Sequence, residues 1–125
     1  MILDTNGLSA MADGDQLLEP VLQRADEIAV PVIVIGEYRY GIRQSRDRAR
    51  YERWLAEAIA NCRVLVADEG TAEQYAGVRD ELKRSGCPIP GNDLWIAALA
   101  RQHALPLISR DRHFDFVQGL KRVGW

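Results

Sequence analysis

The alternation of short apolar runs with helical patterns constrains the fold of this chain more than any other feature. The runs MILD, IAVPV, CRVLVAD and LPLIS begin at residues 1, 28, 62 and 105, and LKRVGW at 120–125 is a candidate fifth strand. Strands alternating with helices indicate a parallel sheet covered on both faces, where sites form at the carboxyl ends of strands. We therefore predict a three-layer α/β/α fold with a central, mostly parallel sheet of four to five strands.

The segments between these runs carry helical signals. Pro31 should end the second strand, because proline cannot donate to a central ladder and suits the first turn of a helix. Val34 and Gly36 have low helix propensity and weaken the start of the helix around Glu37. The first predicted helix begins in TNGLSAM, residues 5–11, and continues through residues 14–25. The others cover Glu37 to about Arg43, 46–61, 71–86 with a stop at Gly86, and 92 to about 104.

Length and composition indicate one domain, residues 1–125, because 125 residues with 47% hydrophobic content can bury a real core. The apolar runs are far shorter than the roughly 20 residues that cross a bilayer, and the N-terminus lacks the basic start of a signal peptide. We expect a cytoplasmic protein without membrane association. Cys62 and Cys87 form no CxxC motif, so neither a disulfide framework nor a zinc site is indicated.

Asp93 stands directly before seven consecutive apolar residues, Leu94 to Ala100. A helix that is apolar all round is buried, so a carboxylate in its first turn either caps the helix or belongs to a site. Three other acids occupy comparable positions. Asp4 ends the first strand, Asp111 follows the fourth, and Glu37 lies in the helix after the second. The predicted topology brings all four toward the same edge of the sheet.

Four carboxylates without an obvious cation among them would repel one another, and at least one would take up a proton unless a metal ion were present. Oxygen ligands of this kind suit Mg²⁺ or Mn²⁺ rather than zinc. Such ions can activate a water, hold a phosphate and stabilise a leaving oxygen, so phosphodiester hydrolysis is the natural chemistry. Each acid also has a purely structural interpretation, which the pattern leaves open: Asp4 and Asp93 as helix caps, Asp111 as a turn residue, Glu37 as a partly exposed helix residue.

Four motifs in order resemble a known family across essentially the whole chain. DTN at 4–6, GEYRYG around Glu37, NDLWIAALA from Asn92 and LISRDRHF ending at Phe114 are similar to the motifs of the PIN domain, and the length resembles VapC-type toxins of bacterial toxin-antitoxin pairs. The resemblance implies an endoribonuclease that depends on Mg²⁺ or Mn²⁺. It also implies a toxin that is usually a homodimer and is silenced by a partner antitoxin.

The resemblance also assigns roles to individual positions. It implies that Asp4, Glu37, Asp93 and Asp111 are the catalytic, metal-binding acids, with Asp4 and Asp93 as direct ligands. One of the acids would orient the attacking water as a general base. Three polar side chains would hold these carboxylates in place, namely Thr5, Asn6 and Ser109.

The basic residues are unevenly placed. Net charge is −2, which argues against general coating of nucleic acid, yet 14 of the 16 basic residues are Arg and six of these fall between Arg39 and Arg53. Arginine suits phosphate, although a solvated helix face is an equally good explanation. The candidate RNA contacts are Arg43, Arg46, Arg50, Arg110 and Arg112. An apolar groove for an antitoxin helix is plausible, with candidates Tyr38, Tyr40, Tyr51 and Trp54.

Two other function classes compete with a nuclease. An aspartyl-nucleophile phosphohydrolase also begins with an Asp after the first strand, but position 6 is Asn and no lysine lies near the later acids. A catalytically silent protein that only binds a partner or nucleic acid is the second alternative. The presence of all four acids speaks against it.

Overall fold

The computed structural model describes all residues, Met1–Trp125, and contains one five-stranded sheet. The order across the sheet is β3-β2-β1-β4-β5, and every adjacent pair is parallel. The strands are short: β1 Ile2–Leu3, β2 Ala29–Pro31, β3 Arg63–Leu65, β4 Leu107–Ile108 and β5 Arg122–Val123. The predicted fifth strand at the end of the chain is thus confirmed.

Helices cover the sheet in the predicted α/β/α arrangement. They are α1 Thr5–Ala12, α2 Glu19–Leu22, α3 Val32–Ile42, α4 Arg48–Ala60, α5 Glu69–Ser85 and α6 Gly91–His103, and a 3-10 helix spans Arg112–Phe116. The predicted stop at Gly86 is confirmed, because Gly86 adopts the left-handed conformation (φ 71°) that ends α5. None of the helices combines the length and apolarity needed to span a membrane.

The order of the strands determines where a site can form. From β1 the chain moves outward through β2 to β3, and then returns to the other side of β1 to form β4 and β5. The direction of winding therefore changes between β1 and β4, and the crevice beyond the carboxyl ends of these strands is where such sheets bind ligands. Asp4 follows β1 and Ser109 follows β4, so both lie at this switch point.

Helix α6 anchors the core, as its unbroken apolar run predicts. Leu94 and the five residues Ile96–Ala100 are buried, and all of them except Ala98 belong to a cluster of 24 buried hydrophobic residues. Burying one Leu or Ile side chain contributes about 1.5–3 kcal/mol, so the run holds α6 firmly against the sheet. The first turn of α6 is fixed in place as a consequence.

Two predicted helices differ from the structure. Residues 14–25 do not form one helix, because Gly14 adopts a left-handed conformation (φ 68°) and only the short helix α2 follows. Helix α3 begins at Val32, five residues before the predicted start at Glu37. Val34 and Ile35 are buried, and the free energy of burying them outweighs the few tenths of a kcal/mol of helix propensity that β-branched residues lose.

Candidate active site

Asp4 is a buried carboxylate at the end of β1 and also the N-cap of α1. Its Oδ1 accepts a hydrogen bond from the backbone N–H of Gly7 at 2.7 Å, so the predicted cap is present. The hydroxyl of the buried Ser109 lies near Asp4 and favours its charged form. Burial raises the pKa of Asp4, and Ser109 and the Gly7 N–H only partly oppose the effect.

Glu37 lies on α3 and is held at both carboxylate oxygens. The Thr5 hydroxyl donates to Oε2, and Nδ2 of Asn92 donates to Oε1 at 2.6 Å. These two donors come from α1 and α6, so three helices meet at this carboxylate. The contact predicted for Thr5 is present, whereas that of Asn92 was not predicted.

Asp93 occupies the third position of α6 but does not cap it. Pro90 is the N-cap residue and the helix start has no side-chain cap hydrogen bond, so the expectation that Asp93 caps the helix is wrong. Its Oδ2 lies 3.0 Å from Nε2 of His113. The two atoms are close but poorly aligned for a hydrogen bond, since the buried Nε2 has no hydrogen-bond partner. We therefore regard the contact as electrostatic.

The pKa of Asp93 is raised, and burial is the main cause. Proximity to His113 acts in the opposite direction, while the neighbouring carboxylates of Asp111 and Glu37 raise the pKa further. The sequence predicts this mutual repulsion of clustered carboxylates, but not the presence of a histidine among them.

Asp111 follows β4 and precedes the 3-10 helix. Its side chain accepts a hydrogen bond from Nδ2 of Asn6 at 3.3 Å, and its backbone N–H donates to Oγ of Ser109 at 3.0 Å. Ser109 thereby links Asp111 to Asp4. All three polar residues that were predicted to support the carboxylates, Thr5, Asn6 and Ser109, contact one of them.

The four acids line one open depression with a volume of about 440 Å³. No arginine or lysine belongs to its lining, so the depression is strongly negative. The lining residues are Asp4, Thr5, Asn6, Glu37, Tyr40, Asn92, Asp93 and Asp111.

This donor set fits a divalent cation. Ligand atoms of Asp93, Asp111 and His113 all lie within 4.8 Å of one another, a spacing that one ion can bridge. Hard carboxylate oxygens dominate the set, as Mg²⁺ and Mn²⁺ prefer, and Mn²⁺ also tolerates one imidazole. The raised pKa values of Asp4 and Asp93 and the unpartnered buried nitrogen of His113 are what a site built around a positive charge would show in its absence.

His113 and Asn92 are site residues that were not predicted from the sequence. His113 stands two positions after Asp111, inside the motif LISRDRHF, and Asn92 directly precedes Asp93. Adjacency to a predicted ligand was the only available signal. Neither side chain belongs to a spacing pattern that identifies its partner.

The five arginines predicted to contact RNA lie in different surroundings. Arg110 points to Asp15, with Nη2 2.7 Å from Oδ2, and stacks over the ring of Trp125 at 4.5 Å. It is therefore already engaged within the protein. Arg50 contacts Asp47 at 3.4 Å on the surface. The remaining three are exposed, and none has an ion pair: Arg43, Arg46 and Arg112.

Two other side chains, Asp115 and Trp54, have structural roles. Asp115 forms a two-pronged contact with Arg122, at 2.7 and 3.0 Å, which holds the 3-10 helix against β5. Trp54 packs on the buried Tyr38 with ring centroids 5.9 Å apart and lies against the hydrophobic core. By contrast, Tyr40 projects into solvent beside the acids.

Comparison with known sequences identifies relatives along the whole chain. The PIN domain family model matches residues 1–120. Ribonuclease VapC5 of Mycobacterium tuberculosis is 34% identical over 124 residues, which cover 98% of this chain and 90% of that protein. Toxin FitB of Neisseria gonorrhoeae is 30% identical over 93 residues, which cover 69% of this chain and 66% of FitB.

Solved structures show the same architecture. A VapBC-5 structure from M. tuberculosis, a member of the VapBC family of toxin-antitoxin systems, superposes with a TM-score of 0.78 at 28% identity, covering 99% of this chain and 97% of that one. VapBC2 from Rickettsia felis, bound to a DNA fragment from its promoter, gives a TM-score of 0.90 at 22% identity, with the same two coverages. The motifs, the fold and the family match agree, and the chain belongs to the PIN domain family.

Proposed function

We propose that this protein is a Mg²⁺- or Mn²⁺-dependent endoribonuclease and the toxin of a VapBC-type toxin-antitoxin pair. The observation that carries the proposal is the convergence of Asp4, Glu37, Asp93 and Asp111 in one depression at the switch point of the sheet. Residues 1–125 act as a single PIN domain in this proposal.

Asp4 and Asp93 would hold the ion directly, while Glu37 and Asp111 contact it either directly or through water. His113 lies close enough to Asp93 and Asp111 to complete the set. When bound, the ion supplies the positive charge that phosphodiester hydrolysis needs at the attacked phosphate, the attacking water and the leaving oxygen.

The side chains of the protein perform the positioning. Thr5 and Asn92 hold both oxygens of Glu37, and Asn6 holds the carboxylate of Asp111, so these carboxylates are oriented before substrate arrives. Ser109 accepts from the backbone N–H of Asp111 and so positions its main chain. One of the carboxylates accepts the proton of the attacking water as general base. The absence of basic side chains from the lining means that RNA phosphate is repelled from the depression until the negative charge is compensated.

An antitoxin partner and a homodimeric state belong to the same proposal. VapBC structures that resemble this chain contain a toxin together with its antitoxin, and we extend that assembly to this protein. A partner that covers the acidic depression would keep the enzyme inactive. We place the activity in the cytoplasm, where cellular RNA is accessible.

The test is cleavage of total bacterial RNA by the purified protein with Mg²⁺ or Mn²⁺, beside the same reaction with chelator and with Asp93→Asn. Asp80→Asn is a matched control, because Asp80 pairs only with Arg84 on the surface of α5. We expect discrete products from the wild type and from Asp80→Asn, and none with chelator or with Asp93→Asn.

Cleavage that survives both the chelator and Asp93→Asn would show that the acidic depression is not the nuclease site. If the wild type cleaves no RNA, the silent binding protein becomes the better description. Neither an aspartyl nucleophile nor a phosphohydrolase mechanism is favoured by any contact in the site.

A further inference from the structure

Tyr40 is an aromatic side chain that the fold leaves in solvent at the edge of the acidic depression. It is 81% exposed, the highest value among the large hydrophobic residues, and it is the one hydrophobic residue among the eight that line the depression. Its hydroxyl has no hydrogen-bond partner within the protein. Neither core packing nor the geometry of the carboxylates accounts for a tyrosine at this position.

The geometry of α3 directs Tyr40 toward the site. Side chains of a helix lean toward its N-terminus, so Tyr40 leans toward the preceding turn, which carries Gly36 and Glu37. Gly36 has no side chain, and a Cβ built there would meet nothing within 4 Å, so the Tyr40 ring does not lie against it. Gly41, the next residue along the chain, is equally open. One face of the Tyr40 ring is therefore not covered by its own helix.

The other lining residues set what the depression can recognise. Four are carboxylates and three are a hydroxyl or amides, which suit an ion and the sugar-phosphate backbone. None of them offers a flat apolar surface. Nuclease sites that take single-stranded RNA bind splayed bases largely by stacking on aromatic rings, and in this depression Tyr40 alone provides such a ring.

We propose that Tyr40 stacks on the nucleobase adjacent to the scissile phosphate and so positions the RNA strand across the carboxylates. Tyr40 and Glu37 are three residues apart on α3, and side chains at this spacing lie about 5–6 Å apart, close to the reach from a phosphate to its own base. The exposed Arg43, one turn further on, has no ion pair and is available for the next phosphate. This inference rests on the ribonuclease function proposed above.

The experiment compares Tyr40→Ala, Tyr40→Leu and Tyr40→Phe with the wild type. Stopped-flow fluorescence anisotropy with Mg²⁺, read before the first turnover, measures binding of a labelled single-stranded RNA on the order of 12 nucleotides. An abasic ribose-phosphate oligomer of the same length serves as a second probe. Steady-state cleavage of the same RNA with Mg²⁺ gives KM and kcat separately. Phe116→Ala is the matched control, since Phe116 is 57% exposed but lies outside the depression.

We expect Tyr40→Ala and Tyr40→Leu to weaken RNA binding and raise KM by about 10- to 100-fold, with kcat nearly unchanged. Tyr40→Phe and Phe116→Ala should stay within about 2-fold of the wild type, because the former keeps the ring and the latter leaves the site intact. Binding of the abasic oligomer should be the same for all the proteins. A structural role of Tyr40 would not produce this dependence on the bases.

Three results would overturn the inference. In the first, Tyr40→Ala binds and cleaves RNA as the wild type does. In the second, it loses affinity equally for RNA and for the abasic oligomer, which indicates an effect on charge or folding. In the third, sedimentation shows that Tyr40→Ala changes the oligomeric state while RNA affinity is retained, which assigns Tyr40 to a protein contact. A wild type that neither binds nor cleaves RNA would instead remove the proposed function, and this inference with it.

Discussion

Substitution of Gly7 by alanine tests how tightly the start of α1 couples the core to the site. A Cβ at this position would lie 2.8 Å from Cδ2 of Leu3, 3.2 Å from Oδ1 of Asp4 and 3.4 Å from the carbonyl oxygen of Ile108. Leu3 is fully buried, so its side chain has no open space into which to move. The methyl group therefore forces a shift in the core and presses on a carboxylate of the site.

The magnitude follows from two opposing terms. Replacing glycine by alanine inside a helix stabilises by about 1 kcal/mol, while overpacking a core costs about 1–3 kcal/mol. Gly77, inside α5, provides the matched control, because its Cβ would make only ordinary contacts, at 3.7 Å to Arg101 and 3.9 Å to Glu81. The propensity gain is common to both variants. Gly7→Ala should therefore be less stable than Gly77→Ala by the overpacking term alone, about 1–3 kcal/mol.

Thermal unfolding followed by circular dichroism measures this difference. For a domain of this size about 1 kcal/mol corresponds to about 4 °C, so the two melting temperatures should differ by about 4–12 °C. Displacement of Asp4 should also lower kcat/KM for RNA cleavage in Gly7→Ala by up to about 100-fold, while Gly77→Ala retains the wild-type value. Equal melting temperatures for the two alanine variants would refute the reasoning, since the close approach at Gly7 would then carry no cost.

Three further predictions concern polar groups. Thr71 is buried, and its hydroxyl accepts a hydrogen bond from the N–H of Asp68 and donates one to Gln102. Thr71→Val should therefore lower the free energy of unfolding, measured by urea titration, by about 1–3 kcal/mol. Thr71→Ser keeps the hydroxyl and should restore most of this loss. Asp93→Asn should raise the melting temperature at neutral pH in chelator, because burial raises the pKa of Asp93 and its charged form therefore opposes folding. Mg²⁺ should stabilise the wild type but not the variant. A lower melting temperature of Asp93→Asn in chelator would contradict this reasoning. The Thr71 N–H lowers the pKa of Asp68 in the folded state. The contribution of the Asp68 carboxylate to stability is therefore present above its ordinary pKa of 3.8 and is lost as the pH falls through the folded pKa. The free energy of unfolding of Asp68→Asn, measured at a series of pH values, should depend less on pH in this acid range than that of the wild type.

Much of the fold is determined by local sequence patterns. Apolar runs separated by helical segments predict a parallel sheet, because strands that are buried on both faces need no alternation and must be joined by crossover helices. The seven apolar residues after Asp93 predict a buried helix for the same reason. The end of α5 is equally local, since Gly86 adopts a left-handed conformation that costs other residues more.

The positions of the four acids also follow from the sequence, once the sheet is assumed to be parallel. Asp4 and Asp111 come after strands whose carboxyl ends share one edge, and Asp93 heads a helix whose burial fixes its first turn. Local patterns fail where burial and propensity conflict. Val34 and Gly36 predicted a late start for α3, but packing against the core extends the helix back to Val32.

The partners of the site residues were decided by the tertiary structure alone. Asn92 reaches Glu37 across 55 positions of sequence, and Arg110 reaches Asp15 across 95. His113 meets Asp93 only because the chain turns into a 3-10 helix after β4. A hydrogen bond between side chains is sensitive to shifts of a few tenths of an ångström, which follow from how separate elements pack. Strand and helix patterns, by contrast, depend on neighbours a few residues away. The sequence by itself therefore determined the sheet, most of its helices and the edge where the carboxylates gather. The packing of those elements determined which side chain holds each carboxylate. It also left the ring of Tyr40 exposed beside them.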